Sequence, residues 1–136
     1  MPKPILLLLL ALLLSLAACG GQPAPEGDEG GAVAGDPAAG EALFAQTLIG
    51  TQAGCTTCHS LEPGVTIIGP SLANIGTEAG ARVSGESAED YLRKSIVEPD
   101  ATVVEGFPAG LVSKELSAEL TEQQVNDLIA YLLTVR

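Results

Sequence analysis

The chain has 136 residues, room for one domain with short additions. Seventeen acidic residues against six basic ones give a formal net charge of −11 at pH 7, which argues against nucleic acid as a partner. Hydrophobic residues make up 46% of the chain, but it has only two Phe, two Tyr and no Trp, so a large aromatic core is excluded.

Residues 1–18 read as a secretory signal. Lys3 is the positive start, and Ile5 to Leu14 is apolar throughout. That run is too short to span a bilayer as a mature helix. It ends in Leu16-Ala17-Ala18-Cys19, which resembles the lipobox of bacterial lipoproteins. The resemblance implies cleavage before Cys19 and a diacylglyceryl group on its sulfur. Two or three acyl chains then hold a protein on a bilayer stably, where one is marginal. The alternative is ordinary cleavage near Ala18 with Cys19 incidental. Gly, Pro, Ala and acid dominate residues 20–35, which together with Cys19 make 19–35 a tether with nothing to pack. Sixteen flexible residues reach roughly 20–25 Å. The expected location is outside the cytoplasm, lipid-anchored to the outer face of the cytoplasmic membrane or in the periplasm.

The folded domain is expected over residues 36–136. Asp36 suits an N-cap and Pro37 the first helical position, so a helix is predicted from about Pro37 to Thr47. Ala39, Leu43, Phe44 and Leu48 form its inner face, and Gly40 marks a close backbone approach. Residues 60–85 are rich in Gly, Pro, Ser and Asn and read as loop. Ser87-x-x-Asp90 resembles a capping box, with a helix over about 88–97 that turns Tyr91, Leu92, Ser95 and Ile96 inward and leaves Arg93 and Lys94 outside. Residues 98–120 read as loop again. Thr121-x-x-Gln124 is a fuller capping box, followed by a helix over about 122–134 with Val125, Leu128, Ile129, Leu132 and Leu133 in one stripe. The expected class is all-α, about three main helices with long loops.

Between the first two helices lies Cys55-Thr56-Thr57-Cys58-His59. Cys-x-x-Cys-His is the attachment signature of c-type haem. Two thiols at this spacing reach the two vinyl groups on one porphyrin edge and form two thioether bonds. His59 then follows as the proximal iron ligand through Nε2. A zinc site needs four ligands, and there is one histidine and no second Cys pair. A redox dithiol belongs at a strand end in a βαβ pattern, which is absent from the sequence. One covalently held macrocycle would also supply the apolar bulk that the aromatics do not.

With Gly40-x-x-x-Phe44, Cys55-x-x-Cys58-His59, Gly69-Pro70-x-Leu72 and Leu128-Ile129-Ala130-Tyr131-Leu132 in place, residues 36–136 resemble a class I cytochrome c. The runs Tyr91-Leu92-Arg93-x-Ser95-Ile96-x-x-Pro99 and Gly106-Phe107-Pro108-x-Gly110-Leu111 are similar to lipid-anchored bacterial monohaem forms associated with respiratory complexes. The resemblance implies a cytochrome c fold wrapped round one haem c, with first and last helices crossing at Gly40. It implies that the Pro70 carbonyl accepts a hydrogen bond from His59 Nδ1–H and that Leu72 packs on the haem. Arg82 is a candidate for a haem propionate or a plain surface arginine.

In one place the pattern breaks. The family's distal methionine would follow Gly-Phe-Pro-x-Gly-Leu, where this chain has Val112 and Ser113, and its one methionine is Met1. An alkyl group cannot coordinate iron. Lys114 is a candidate if a pocket keeps its amine neutral against an ordinary pKa of about 10.4; otherwise the distal site is open or filled by a partner chain. The resemblance implies a membrane-tethered electron carrier of a bacterial respiratory chain and no catalytic residues. Its membrane-bound redox partners would dock through basic surfaces, although acidity also serves solubility alone. The alternatives are a haem-based CO or NO binder or redox sensor, and a weak peroxidase-like activity.

Overall fold

A computed structural model describes residues 34–112 and 114–136. The signal segment, Cys19, the tether up to residue 33 and Ser113 lie outside the described residues. Six helices and one two-stranded hairpin are described: α1 (Pro37–Phe44), β1 (Leu48–Ile49), β2 (Gln52–Ala53), α2 (Cys55–Cys58), α3 (Ile75–Arg82), α4 (Ala88–Val97), α5 (Lys114–Ala118) and α6 (Glu122–Leu132). Among the described residues no helix is long and apolar enough to cross a membrane.

The domain is organised by α1 crossing α6. Asp36 caps α1 by accepting from the Ala38 and Ala39 amides. Thr121 and Gln124 close a reciprocal capping box on α6. A Cβ on Gly40 would lie 1.9 Å from the Asp127 carbonyl oxygen, so only glycine lets the backbones meet. Beside the crossing, Phe44 and Tyr131 pack with ring centroids 5.4 Å apart. The α6 stripe of Val125, Leu128, Ile129 and Leu132 is buried; fully burying such side chains contributes roughly 1.5–3 kcal/mol each.

Asp127, 7% exposed, is the buried charge on this helix. Its Oδ1 accepts from the Asp36 amide at 2.7 Å and from Gln123 Nε2 at 2.7 Å. Gly35, which the sequence reading leaves in the tether, packs on α6: a Cβ there would lie 2.0 Å from the Asn126 carbonyl oxygen. Packing therefore reaches back beyond Asp36.

Several local expectations need correction. The first helix ends at Phe44, not near Thr47, because the hairpin begins at Leu48. Two-residue alternation then turns Leu48 outward, 62% exposed, and buries Ile49 instead. Ala39 is exposed as well. The stretch read as loop over 60–85 contains α3, and the stretch over 98–120 contains α5. Two glycines hide α3 from propensity, yet it buries Ile75 and Ala79 four residues apart. Gly76 lies against the end of α6, where a Cβ would meet the Leu133 carbonyl oxygen at 2.4 Å. Arg93 is also not idle on an outer face. Its guanidinium reaches Glu122 at 2.5 Å and bonds Asn126, joining α4 to α6, while Lys94 pairs with Glu86.

Candidate functional site

Gly54 opens the site. Its amide donates to the Thr47 carbonyl at 2.8 Å, and a Cβ there would lie 2.0 Å from the Gln46 carbonyl oxygen. The hairpin thus delivers the chain straight into α2, a single turn. Cys55 and Cys58 stand at i and i+3 of that turn, so both sulfurs share one face. His59 leaves the turn in extended geometry, its amide still bonded to the Cys55 carbonyl at 2.9 Å.

The chain then loops out and returns. The amides of Ile68 and Gly69 donate to the Cys58 carbonyl at 3.2 and 2.9 Å, and the Leu72 amide donates to the Ser60 carbonyl at 2.8 Å. Ser71 Oγ adds a bond to the Glu62 carbonyl at 2.7 Å. These bonds flank Pro70 on both sides. Its carbonyl oxygen lies 2.8 Å from His59 Nδ1. A carbonyl can only accept, so Nδ1 carries the proton and Nε2 keeps its lone pair for a metal. Gly69 lies flat against the same ring: a Cβ there would be 2.5 Å from His59 Cε1. The Gly69-Pro70-x-Leu72 motif does not by itself reveal this contact, because loop glycines leave no periodic signal.

Cys55, Cys58, His59, Pro70 and Leu72 all line one cavity. Its other walls come from the segment 91–112 and from α6, through side chains such as Leu92, Val103, Phe107, Leu128 and Leu132. Val112 is on the lining too. Lys114 is not: it is 75% exposed and its Nζ lies 3.5 Å from Asp100 Oδ2. Arg82 is likewise absent from the lining and pairs with Glu78 at 2.7 Å on its own helix.

The chemistry of these groups separates the readings. Burial pushes the Cys55 thiol up, opposed by a backbone hydrogen bond and helped by the nearby Cys58. A reactive redox dithiol needs a thiol pushed down instead. Among the described residues no cluster of three or more His, Cys, Asp or Glu side chains is placed to hold a metal ion by itself. Two thiols on one face, an imidazole with a free Nε2 and a broadly apolar wall fit a covalently attached haem.

Comparison with known proteins identifies a family. The family model described as Cytochrome c matches residues 37–136, most of the chain. No curated protein and no solved structure matches.

Proposed function

The chain belongs to the cytochrome c family and carries one covalently attached haem c, and from that premise we propose a membrane-tethered electron carrier of a bacterial respiratory chain. Haem c supplies a one-electron Fe(III)/Fe(II) couple. The observation that carries the reading is the 2.8 Å contact between His59 Nδ1 and the Pro70 carbonyl, in the cavity that also holds Cys55 and Cys58. Cys55 and Cys58 have the spacing for the two thioether bonds, and His59 offers Nε2 as proximal ligand. The Pro70 carbonyl fixes the imidazole tautomer and raises its basicity, which tunes the potential. Leu72 and the apolar walls limit water near the iron, another determinant of potential.

The domain is linked to a lipid on Cys19 through the Gly- and Pro-rich stretch that follows it, outside the cytoplasm. Its donor and acceptor are membrane-bound proteins with basic docking surfaces, matched to a chain of net charge −11. Two experiments test this. Membrane fractionation should find the wild type in the membrane and Cys19→Ala released; equal release of both rejects the anchor. Stopped-flow oxidation by membranes should slow as ionic strength rises. A holoprotein that dithionite reduces but membranes never oxidise would reject the carrier.

A specific observation favours a second reading, a small-ligand binder or redox sensor with an open sixth position. Val112 lines the cavity and Lys114 is held at the surface by Asp100. The reduced holoprotein should then change its optical spectrum on addition of CO. A low-spin spectrum unmoved by CO rejects the open site.

A further inference from the structure

One wall of the cavity is an irregular segment between α4 and α5. It supplies Val103, Val104, Phe107, Leu111 and Val112 to the lining. Its backbone bonds include two that reach only three residues. The Ala101 amide donates to the Glu98 carbonyl at 2.8 Å, and the Phe107 amide to the Val104 carbonyl at 3.1 Å. Apolar packing holds the segment in part only. Val103 and Leu111 line the cavity and are still 42% and 45% exposed.

Asp100 spans this segment. Its Oδ1 accepts from the Gly110 amide at 2.8 Å, and its Oδ2 lies 3.5 Å from Lys114 Nζ. One carboxylate at the start of the segment thus reaches both its far end and the first residue of α5. The residues between close on themselves, as in a compact surface loop whose ends meet. An amide donating to a carboxylate makes a charge-assisted bond, stronger than a neutral one. The ion pair with the 75% exposed Lys114 adds little. Gly110 takes the bond at φ +77°, a conformation that favours glycine. Asp100 itself lines the cavity, so the clasp acts at the cavity wall.

We propose that Asp100 is a positioning residue for the haem environment: through the Gly110 amide it holds segment 101–112 over the cavity and limits water near the iron. The inference goes beyond the carrier reading and needs only the haem c that the family carries. Solvent access to the iron is a determinant of its potential. A segment released from Asp100 admits water, which favours the more highly charged Fe(III) and lowers the potential.

The test compares matured Asp100→Asn and Asp100→Ala holoproteins. Both lose the same charge and the same ion pair, but asparagine keeps an oxygen for the Gly110 amide, so the difference isolates that bond. The readouts are the reduction potential and the rate at which cyanide binds the Fe(III) form. Asp100→Ala should bind cyanide roughly threefold to tenfold faster than Asp100→Asn, as for loss of one neutral hydrogen bond, and have the lower potential. Equal rates and equal potentials in the two variants overturn the clasp. A measurement on the wild type stands if Asp100→Ala fails to mature. The amide of Gly110, an exposed residue, should exchange in D2O at least about tenfold more slowly than an unstructured glycine amide. Exchange at the unstructured rate overturns the clasp as well.

Discussion

Gly40→Ala and Gly80→Ala are the same chemical change in two helices, and the structure gives them opposite signs. At Gly40 a Cβ would lie 1.9 Å from the Asp127 carbonyl oxygen, 2.5 Å from its carbonyl carbon and 2.8 Å from Tyr131 Cβ. The main obstacle is backbone and cannot rotate away. Restoring an ordinary contact of 3.4 Å requires α1 and α6 to part by about 1.5 Å. That parting loosens the Phe44–Tyr131 contact and strains the Asp36–Asp127 bond. Overpacking of this kind costs about 1–3 kcal/mol, and a backbone clash belongs at the upper end. Alanine returns up to about 1 kcal/mol of helix propensity. The net expectation is a loss of about 2 kcal/mol, a fall in Tm of roughly 8–16 °C for a domain of this size. At Gly80 the nearest atom to a Cβ is 3.6 Å away, an ordinary contact. There the propensity gain stands alone, a stabilisation of about 0.5–1 kcal/mol. Urea denaturation of the two matured holoproteins, followed by far-ultraviolet circular dichroism, measures both. A Gly40→Ala protein within about 0.5 kcal/mol of wild type, or a Gly80→Ala protein destabilised as much, would refute the crossing geometry.

Other variants read the site and its supports. Gly69→Ala drives a methyl group into the His59 ring, 2.5 Å from Cε1, and so pulls Nδ1 off the Pro70 carbonyl. A less basic imidazole favours Fe(III) less, so the potential in a redox titration should rise; an unchanged potential would show that the hydrogen bond does not tune the iron. Asp127→Ala orphans the Asp36 amide and should cost about 1–3 kcal/mol in urea denaturation. Lys114→Ala removes an exposed ion pair worth at most about 1 kcal/mol and should leave the optical spectrum unchanged. Stability should fall as pH rises beyond about 10. The Glu86 carboxylate, mainly through its hydrogen bond, raises Lys94, and burial, then Glu41, raises Tyr131. Both groups hold their protons more tightly when folded, so their contribution is complete below the unfolded pKa values and is lost as pH climbs through the folded ones. Tyr131→Phe should flatten that alkaline fall in a pH series of denaturation midpoints, and an identical slope would count against the shift.

The attachment motif, the class of fold and the two capped helices α4 and α6 were legible because each rests on local chemistry. Cys55, Cys58 and His59 need only their spacing, and Ser87 and Thr121 need only a partner three residues on. The stripe on α6 repeats with the helical period, so burial shows in the letters. Tertiary structure alone decided the rest. α3 contains two glycines and exists because Ile75 and Ala79 find a core and Gly76 admits the end of α6. Leu48 and Ile49 are equivalent as letters, and a hairpin chose which one is buried. Lys114 and Val112 are two residues apart in the chain, yet one pairs with Asp100 at the surface and the other lines the cavity. Chemistry written in neighbouring residues survives in the sequence, whereas close approach, exposure and enclosure depend on contacts between distant segments, which form only when the chain folds.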